Sequence, residues 1–247
     1  MQQSKEVWEL KAKTFRRFKK NEEDTLEILN FFRQNGADFR GKEIIDIGCG
    51  NGRFSLELAQ EAKHILALDI SDTMLENVAN DARAFGLGNV SAFCGDWEGF
   101  KVEKKFDIAF ASMTPALNNK AGFLKALEIC VEGLAYVGWG RKREAEFIDT
   151  LLKEHSMRLE LPVGLPNMLE WLKELGYKEP KFAYQCADFT YESDVAQAIN
   201  DMIFNVKVHG GEPNHALIAD YVNARAKDGK IRYTHTREVG YTFIKKP

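Results

Sequence analysis

Asp46 stands two residues ahead of a turn with glycine at every second position, Gly48-Cys49-Gly50-Asn51-Gly52, and a second acid, Asp69, closes the next apolar run, Ile65-Leu66-Ala67-Leu68. Alternate glycines let a backbone turn tightly and approach a flat ligand where a Cβ would clash. A carboxylate at the end of the following strand can accept hydrogen bonds from the two hydroxyls of a ribose. Together these residue types describe a nucleoside-binding crevice. Gly95-Asp96-Trp97 adds an acceptor for an exocyclic amino group beside a large flat surface. Two further places, Ser112-Met113-Thr114-Pro115 and Trp139-Gly140-Arg141, end apolar runs of their own.

Those residues can converge only if the elements between them alternate. The spacing predicts strands at Glu43–Ile47, His64–Asp69, Val90–Cys94, Phe106–Ala111 and Leu134–Trp139. Helices are predicted at Phe54–Glu61, after the Ser71 cap, and at Gly122–Glu132. Near-continuous apolar strands separated by helices imply a parallel sheet covered on both faces. Ligands of such sheets bind outside the strand C-termini, so Gly48–Gly52, Asp69, Asp96 and Ser112-Met113 should meet at one edge. Upstream, an amphipathic helix is expected over 4–20, with Val7, Leu10, Thr14, Phe15 and Phe18 in one stripe, and another over Glu22–Gln34. Downstream, Glu144–His155 and Leu165–Leu175 read as helical and Lys181–Thr190 as extended. Two amphipathic stretches, Asp194–Val208 and Asn214–Ala226, precede a closing strand at Val239–Ile244.

Composition narrows the class. The chain has 247 residues and a formal charge of −3, which gives no global electrostatic case for nucleic acid or an anionic membrane. Cys49, Cys94, Cys130 and Cys186 are scattered without a C-x-x-C pair, which suits a reducing cytoplasm. The five histidines lack metal-ligand spacing, so no metal is expected. No apolar run reaches the ~20 residues of a membrane span. The basic face of the N-terminal helix reads as a solvated surface, with RNA docking as the alternative.

The dinucleotide fingerprint places its third glycine five residues after the first. Here that place holds Arg53, and Gly52 falls one residue early. The G-x-G-x-G form with Asp46 ahead of it resembles motif I of the class I, Rossmann-like S-adenosylmethionine-dependent methyltransferases. Residues 40–140 carry the resemblance, through motif I and the strand-end sites. It implies an α/β fold, a three-layer α/β/α arrangement with a mostly parallel seven-stranded sheet whose last strand is antiparallel. The N-terminal helices and a helical insertion before the last strand would be additions to it. It also implies S-adenosylmethionine as cofactor and S-adenosylhomocysteine as product. Carried onto this chain, the cofactor-binding residues are Asp46, Gly48, Cys49, Gly50, Asn51, Gly52, Asp69, Ile70, Met74, Gly95, Asp96, Trp97, Ser112 and Met113. Motif IV holds Ser112-Met113-Thr114-Pro115 rather than the Asn/Asp-Pro-Pro-Tyr/Phe of enzymes acting on adenine or glutamine nitrogen, so that chemistry is not supported.

The expected reaction is in-line methyl transfer to a small-molecule acceptor. An RNA or protein acceptor, or cofactor binding without catalysis, are the alternatives. Alignment in a dry pocket can supply most of the acceleration, and no catalytic residue is assigned. Cys49 has no paired base and is not expected to act as a nucleophile. In many small-molecule members an N-terminal helix folds over the cofactor, which makes Trp8, Lys13 and Phe15 candidates for the acceptor pocket, with Trp139 and Arg141. Arg141 either holds an acidic group of the acceptor or begins a solvated helix. The whole chain, 1–247, reads as a single domain, with a cofactor core at about 37–140 and cap elements at about 4–35 and 193–228. The cap helices either cover the substrate mouth or extend the core or a dimer contact, and both monomer and homodimer are open.

Overall fold

The structure is a computed structural model describing residues 5–246; residues 1–4, including the expected helix start at residue 4, and residue 247 lie outside the described residues. In chain order the helices are α1 (Lys5–Ala12), α2 (Glu23–Gln34), α3 (Arg53–Leu58), α4 (Asp72–Ala84), α5 (Lys120–Ile129), α6 (Glu146–Glu154), α7 (Leu165–Glu174), α8 (Val195–Val208) and α9 (His215–Asn223). The strands are β1 (Glu43–Ile47), β2 (His64–Asp69), β3 (Val90–Cys94), β4 (Phe106–Ser112), β5 (Cys130–Glu144), β6 (Phe182–Asp194) and β7 (Lys230–Lys245). They form one sheet in the order β3-β2-β1-β4-β5-β7-β6. Strands β1 to β5 run parallel, and β7 lies antiparallel between β5 and β6. The chain leaves β1 toward β2 on one side and reaches β4 on the other, so the switch point opens a crevice at the end of β1.

Alternation along β1 shows how the layers form. Ile44 packs with Phe32, Phe39, Phe54 and Phe110 beneath α2 and α3. Ile45 and Ile47 point the other way, into a cluster with Phe123, Leu134, Leu165 and Met168 under α5 and α7. Asp46 shares the face of Ile44 and therefore meets α3. At roughly 25 cal/mol per Å² of apolar surface, each fully buried isoleucine contributes about 1.5–3 kcal/mol.

Three expectations need correction. The helix predicted over 4–20 ends at Ala12. Its apolar stripe continues through Phe15 and Phe18, but tertiary bonds win: the Asn51 amide donates to the carbonyls of Phe15 (2.8 Å) and Arg16 (3.3 Å), pulling the chain out of the helical path. Phe18 then inserts beside Leu75, Val78 and Ala82. Second, β5 runs on to Glu144, so Arg141-Lys142-Arg143 is strand and not a helix start. Third, β7 begins at Lys230 rather than Val239, and β6 pairs with it from Phe182↔Thr242 to Asp194↔Lys230. The long β5, β6 and β7 project beyond the parallel core. On them α6, α8 and α9 build a further apolar cluster around Leu151, Leu152, Met202, Val206, Ile218 and Val222. No helix among the described residues is long and apolar enough to cross a membrane.

Candidate active site

A cavity of about 480 Å³ opens at the switch point. Its floor is the glycine turn. Gly48 and Gly50 have φ of +69° and +55°, in the left-handed region. A Cβ on Gly48 would lie 2.0 Å from Thr114 Oγ1, and one on Gly50 would lie 3.2 Å from Phe15 Cε1. The loop after β4 and the N-terminal segment therefore press directly on the turn, and only glycine leaves them room.

Asp69, 7% exposed, ties the turn to β2. Its Oδ2 accepts from Gly50 N at 2.8 Å and its Oδ1 from Ser71 N at 3.0 Å. Burial raises its pKa, opposed by those two backbone bonds. Each oxygen keeps lone-pair capacity for a further donor. Asp46 is more deeply placed, and burial, with the Asp69 charge adding, pushes its carboxyl up to about 7 against the Ser55 bond. Its Oδ2 accepts from Ser55 Oγ at 2.5 Å, while its Oδ1 has no partner among the described residues. Burial, then Asp69 and Asp46, push the Cys49 thiol well above its usual range, which leaves no thiolate for nucleophilic chemistry.

Ile70, Met74, Gly95, Asp96, Trp97, Ser112 and Met113 all line the cavity. Asp96 Oδ1 accepts from Glu98 N at 2.9 Å. Trp97 is 2% exposed: its indole N–H donates to Gly122 O at 3.0 Å, its ring stacks on Phe100, and Lys125 lies over it at 4.6 Å. The broad face expected for a ligand is thus largely spent on the core. Asn51 and Gly52 lie behind the wall. Asn51 accepts from Asn77 Nδ2 at 3.0 Å while holding the N-terminal segment, and a Cβ on Gly52 would meet Val78 at 2.9 Å.

Trp8, Lys11 and Phe15 form a roof with Phe204 of α8. Trp8 meets Phe204 edge-on at 5.7 Å, and Lys11 pairs with Asp201 at 2.8 Å. Asp201 also accepts from Tyr191 Oη and from Gln197 Nε2. On the other side Arg17 grips Asp81 through two nitrogens, and Asp72 N donates to Glu9. The segment is clasped to both α4 and α8. Lys13 is exposed and outside the wall; Lys11, half a turn earlier, takes the place expected for it.

Trp139 lines the cavity but Arg141 does not. A register shift between Trp139 and Arg143 acts as a bulge, so Arg141 and Arg143 face opposite ways. Arg141 turns out to Glu238, with nitrogen–oxygen distances of 2.9 and 3.0 Å, and lies over Tyr184. Sequence reasoning missed Lys11, Phe54, Phe204 and Arg237, and gave Arg53 no role although it fills the third-glycine place. Arg53 lines the wall from the first residue of α3, with Thr25 Oγ1 accepting its Nε–H at 2.8 Å.

Residues 38–201 match the family described as a methyltransferase domain, and the chain belongs to it, with the class I Rossmann-like architecture. A crystal structure of a candidate methyltransferase from Bacillus halodurans shares the fold, with a TM-score of 0.57 and 17% identity over 92% of this chain and 100% of that one. An uncharacterised protein of Haemophilus influenzae is 27% identical over 55% of this chain and 49% of its own length. Phosphoethanolamine N-methyltransferase 1 of Caenorhabditis elegans is 36% identical over 29% of this chain and 15% of its own. The chain thus matches half or less of the length of these two curated relatives.

Proposed function

We propose that this protein transfers a methyl group from S-adenosylmethionine to a small-molecule acceptor. The observation that carries the reading is the roofed cavity: α1 and the following segment close over the glycine turn and are clasped to α8, leaving about 480 Å³. That is a volume for small ligands, and a folded RNA or protein would have to displace the roof.

The residues present suit the cofactor. A buried, unpartnered Asp46 oxygen in a cavity wall is a place for a cationic amino group. Asp69, prefixed by two backbone N–H bonds, would accept the ribose hydroxyls, and Asp96 the adenine amino group. Bound there, S-adenosylmethionine supplies a methyl group activated by a sulfonium charge. The chain's own part is to align and to exclude water. Phe15, Met74 and the glycine turn hold one wall, and Trp8, Trp139 and Phe204 present aromatic surface across it. Aromatic faces attract a cation before it is discharged. On this reading α1, the segment after it and α8 are the cap.

Calorimetry with S-adenosylhomocysteine and NAD tests the cofactor, and S-adenosylhomocysteine formation from S-adenosylmethionine tests the acceptor. Binding of S-adenosylhomocysteine alone, and turnover with a deproteinised metabolite extract but not with total RNA, is expected. Turnover with RNA and none with metabolites would overturn the small-molecule reading.

A further inference from the structure

Arg237 lines the cavity without an ion pair among the described residues, and its Nε is buried with no hydrogen-bond partner. Its guanidinium is fixed over the Phe189 ring at 4.2 Å. Directly opposite in the sheet register stands Arg143, and opposed residues of antiparallel strands share a face. His235, two residues along β7, lies on that face too, and its Nδ1 is also buried without a partner. Like charges directly opposed destabilise a sheet. Among the described residues Arg143 meets no carboxylate in an ion pair: it lies over the Trp139 ring at 4.8 Å, with the Glu160 carbonyl at 3.5 Å and His209 Nε2 at 3.4 Å. Arg53 and Arg16 act on Arg237 with the same sign, opposed by the exposed Asp24. Glu22 is shared between Arg16 and Arg53, whose Nε lies 3.6 Å from it, and Glu238, on the reverse face, is engaged by Arg141, so neither carboxylate reaches Arg237 in an ion pair.

A cavity lined by Arg53 and Arg237, with the buried Nε of Arg237 unspent, is built for an anion that is not part of the chain. Resting on the methyltransferase reading above, we infer that the acceptor is a small molecule carrying an anionic oxygen group, a carboxylate or a phosphate, which docks on Arg237, with Arg53 lining the same cavity and Arg143 opposite Arg237 in the sheet register. The planar fork of Arg237 matches either group through two parallel N–H bonds. Asp46 and Asp69 line the same cavity from β1 and β2, and their carboxylates repel the anionic group that Arg237, on β7, attracts.

The test is calorimetric titration of the protein saturated with S-adenosylhomocysteine, using inorganic phosphate in one arm and acetate in the other. Binding of at least one anion is expected, weakened about tenfold or more in Arg237→Met and partly restored in Arg237→Lys, with S-adenosylhomocysteine affinity held within about twofold. The arm that responds identifies the group. Binding of neither anion to the wild type would overturn the inference. So would an Arg237→Met protein that loses S-adenosylhomocysteine instead, since Arg237 would then serve the cofactor. Repeating the titration on ligand-free protein separates the two readings, because failure to bind S-adenosylhomocysteine sinks the first while the anion response still reports on Arg237. If Arg237→Met does not fold, Arg237→Gln reads the same loss.

Discussion

The two ends of the cavity are built on opposite principles. At the acidic end, Asp46 and Asp69 sit on neighbouring parallel strands, and backbone N–H groups or a serine hydroxyl already hold three of their four oxygens. At the basic end, Arg53 and Arg237 come from a helix start and from the middle of β7, and Arg237 has no ion-pair partner among the described residues. One end is preset by the fold. The other is left for a ligand to complete. A charge held by backbone bonds orients what binds to it at little cost, whereas an uncompensated charge selects what is allowed to bind.

Removing the acidic anchor should do most damage. Asp69→Ala deletes two prospective charge-assisted bonds of about 1.5–3 kcal/mol each, so S-adenosylhomocysteine affinity should fall at least about 100-fold by calorimetry. An unchanged affinity would mean that the preset end is not where the cofactor lies. Asp46 gives a pH signature next in size. Its folded-state pKa, about 7, lies above the ordinary 3.8, so the folded protein holds that proton more tightly. The resulting stability is fully present below 3.8 and is lost as pH rises through 7. Compared with Asp46→Asn, urea unfolding of the ligand-free wild type should lose about 3 kcal/mol between pH 4 and 7.5. Parallel pH curves for the two proteins would refute this.

The roof joins the two ends, and its clasp is weaker. Asp201→Ala strands Lys11 and Tyr191, and should speed hydrogen exchange over residues 5–12 by about 30-fold, equivalent to about 2 kcal/mol. Exchange as slow as in the wild type would show that Trp8 and Phe204 suffice to hold the roof. The smallest effect belongs to Arg141→Ala. Its side chain is exposed and its ion pair with Glu238 lies outside the cavity, so the acceptor KM should stay within about twofold. A large rise would place an acceptor contact on the outer face and weaken the contrast between the ends.

The acidic end was legible because its determinants are local. Asp46, the glycine turn and Asp69 fall within one strand-turn-helix-strand unit, and glycine spacing alone separated this turn from a dinucleotide loop. The basic end was not, because β7 before Val239 reads Lys-Ile-Arg-Tyr-Thr-His-Thr-Arg, and its polar residues conceal a strand that only pairing with β6 reveals. Nor could spacing tell Arg141 from Arg143, since the bulge that turns one out and the other in is a property of the sheet register. Lys13 failed for a related reason. Helical periodicity carried α1 too far, and the Asn51 amide that ends this extended path is remote in sequence.

The contact between Gly48 and Thr114 bears on how such enzymes can be rebuilt. With 2.0 Å between a would-be Cβ and the threonine hydroxyl, the glycine turn after β1 and the loop after β4 fit like a tenon in its mortise. Neither can be exchanged as a free-standing module. A graft of residues 112–119 from another scaffold must bring a side chain at 114 that leaves Gly48 its space, or the altered specificity will arrive with a displaced cofactor.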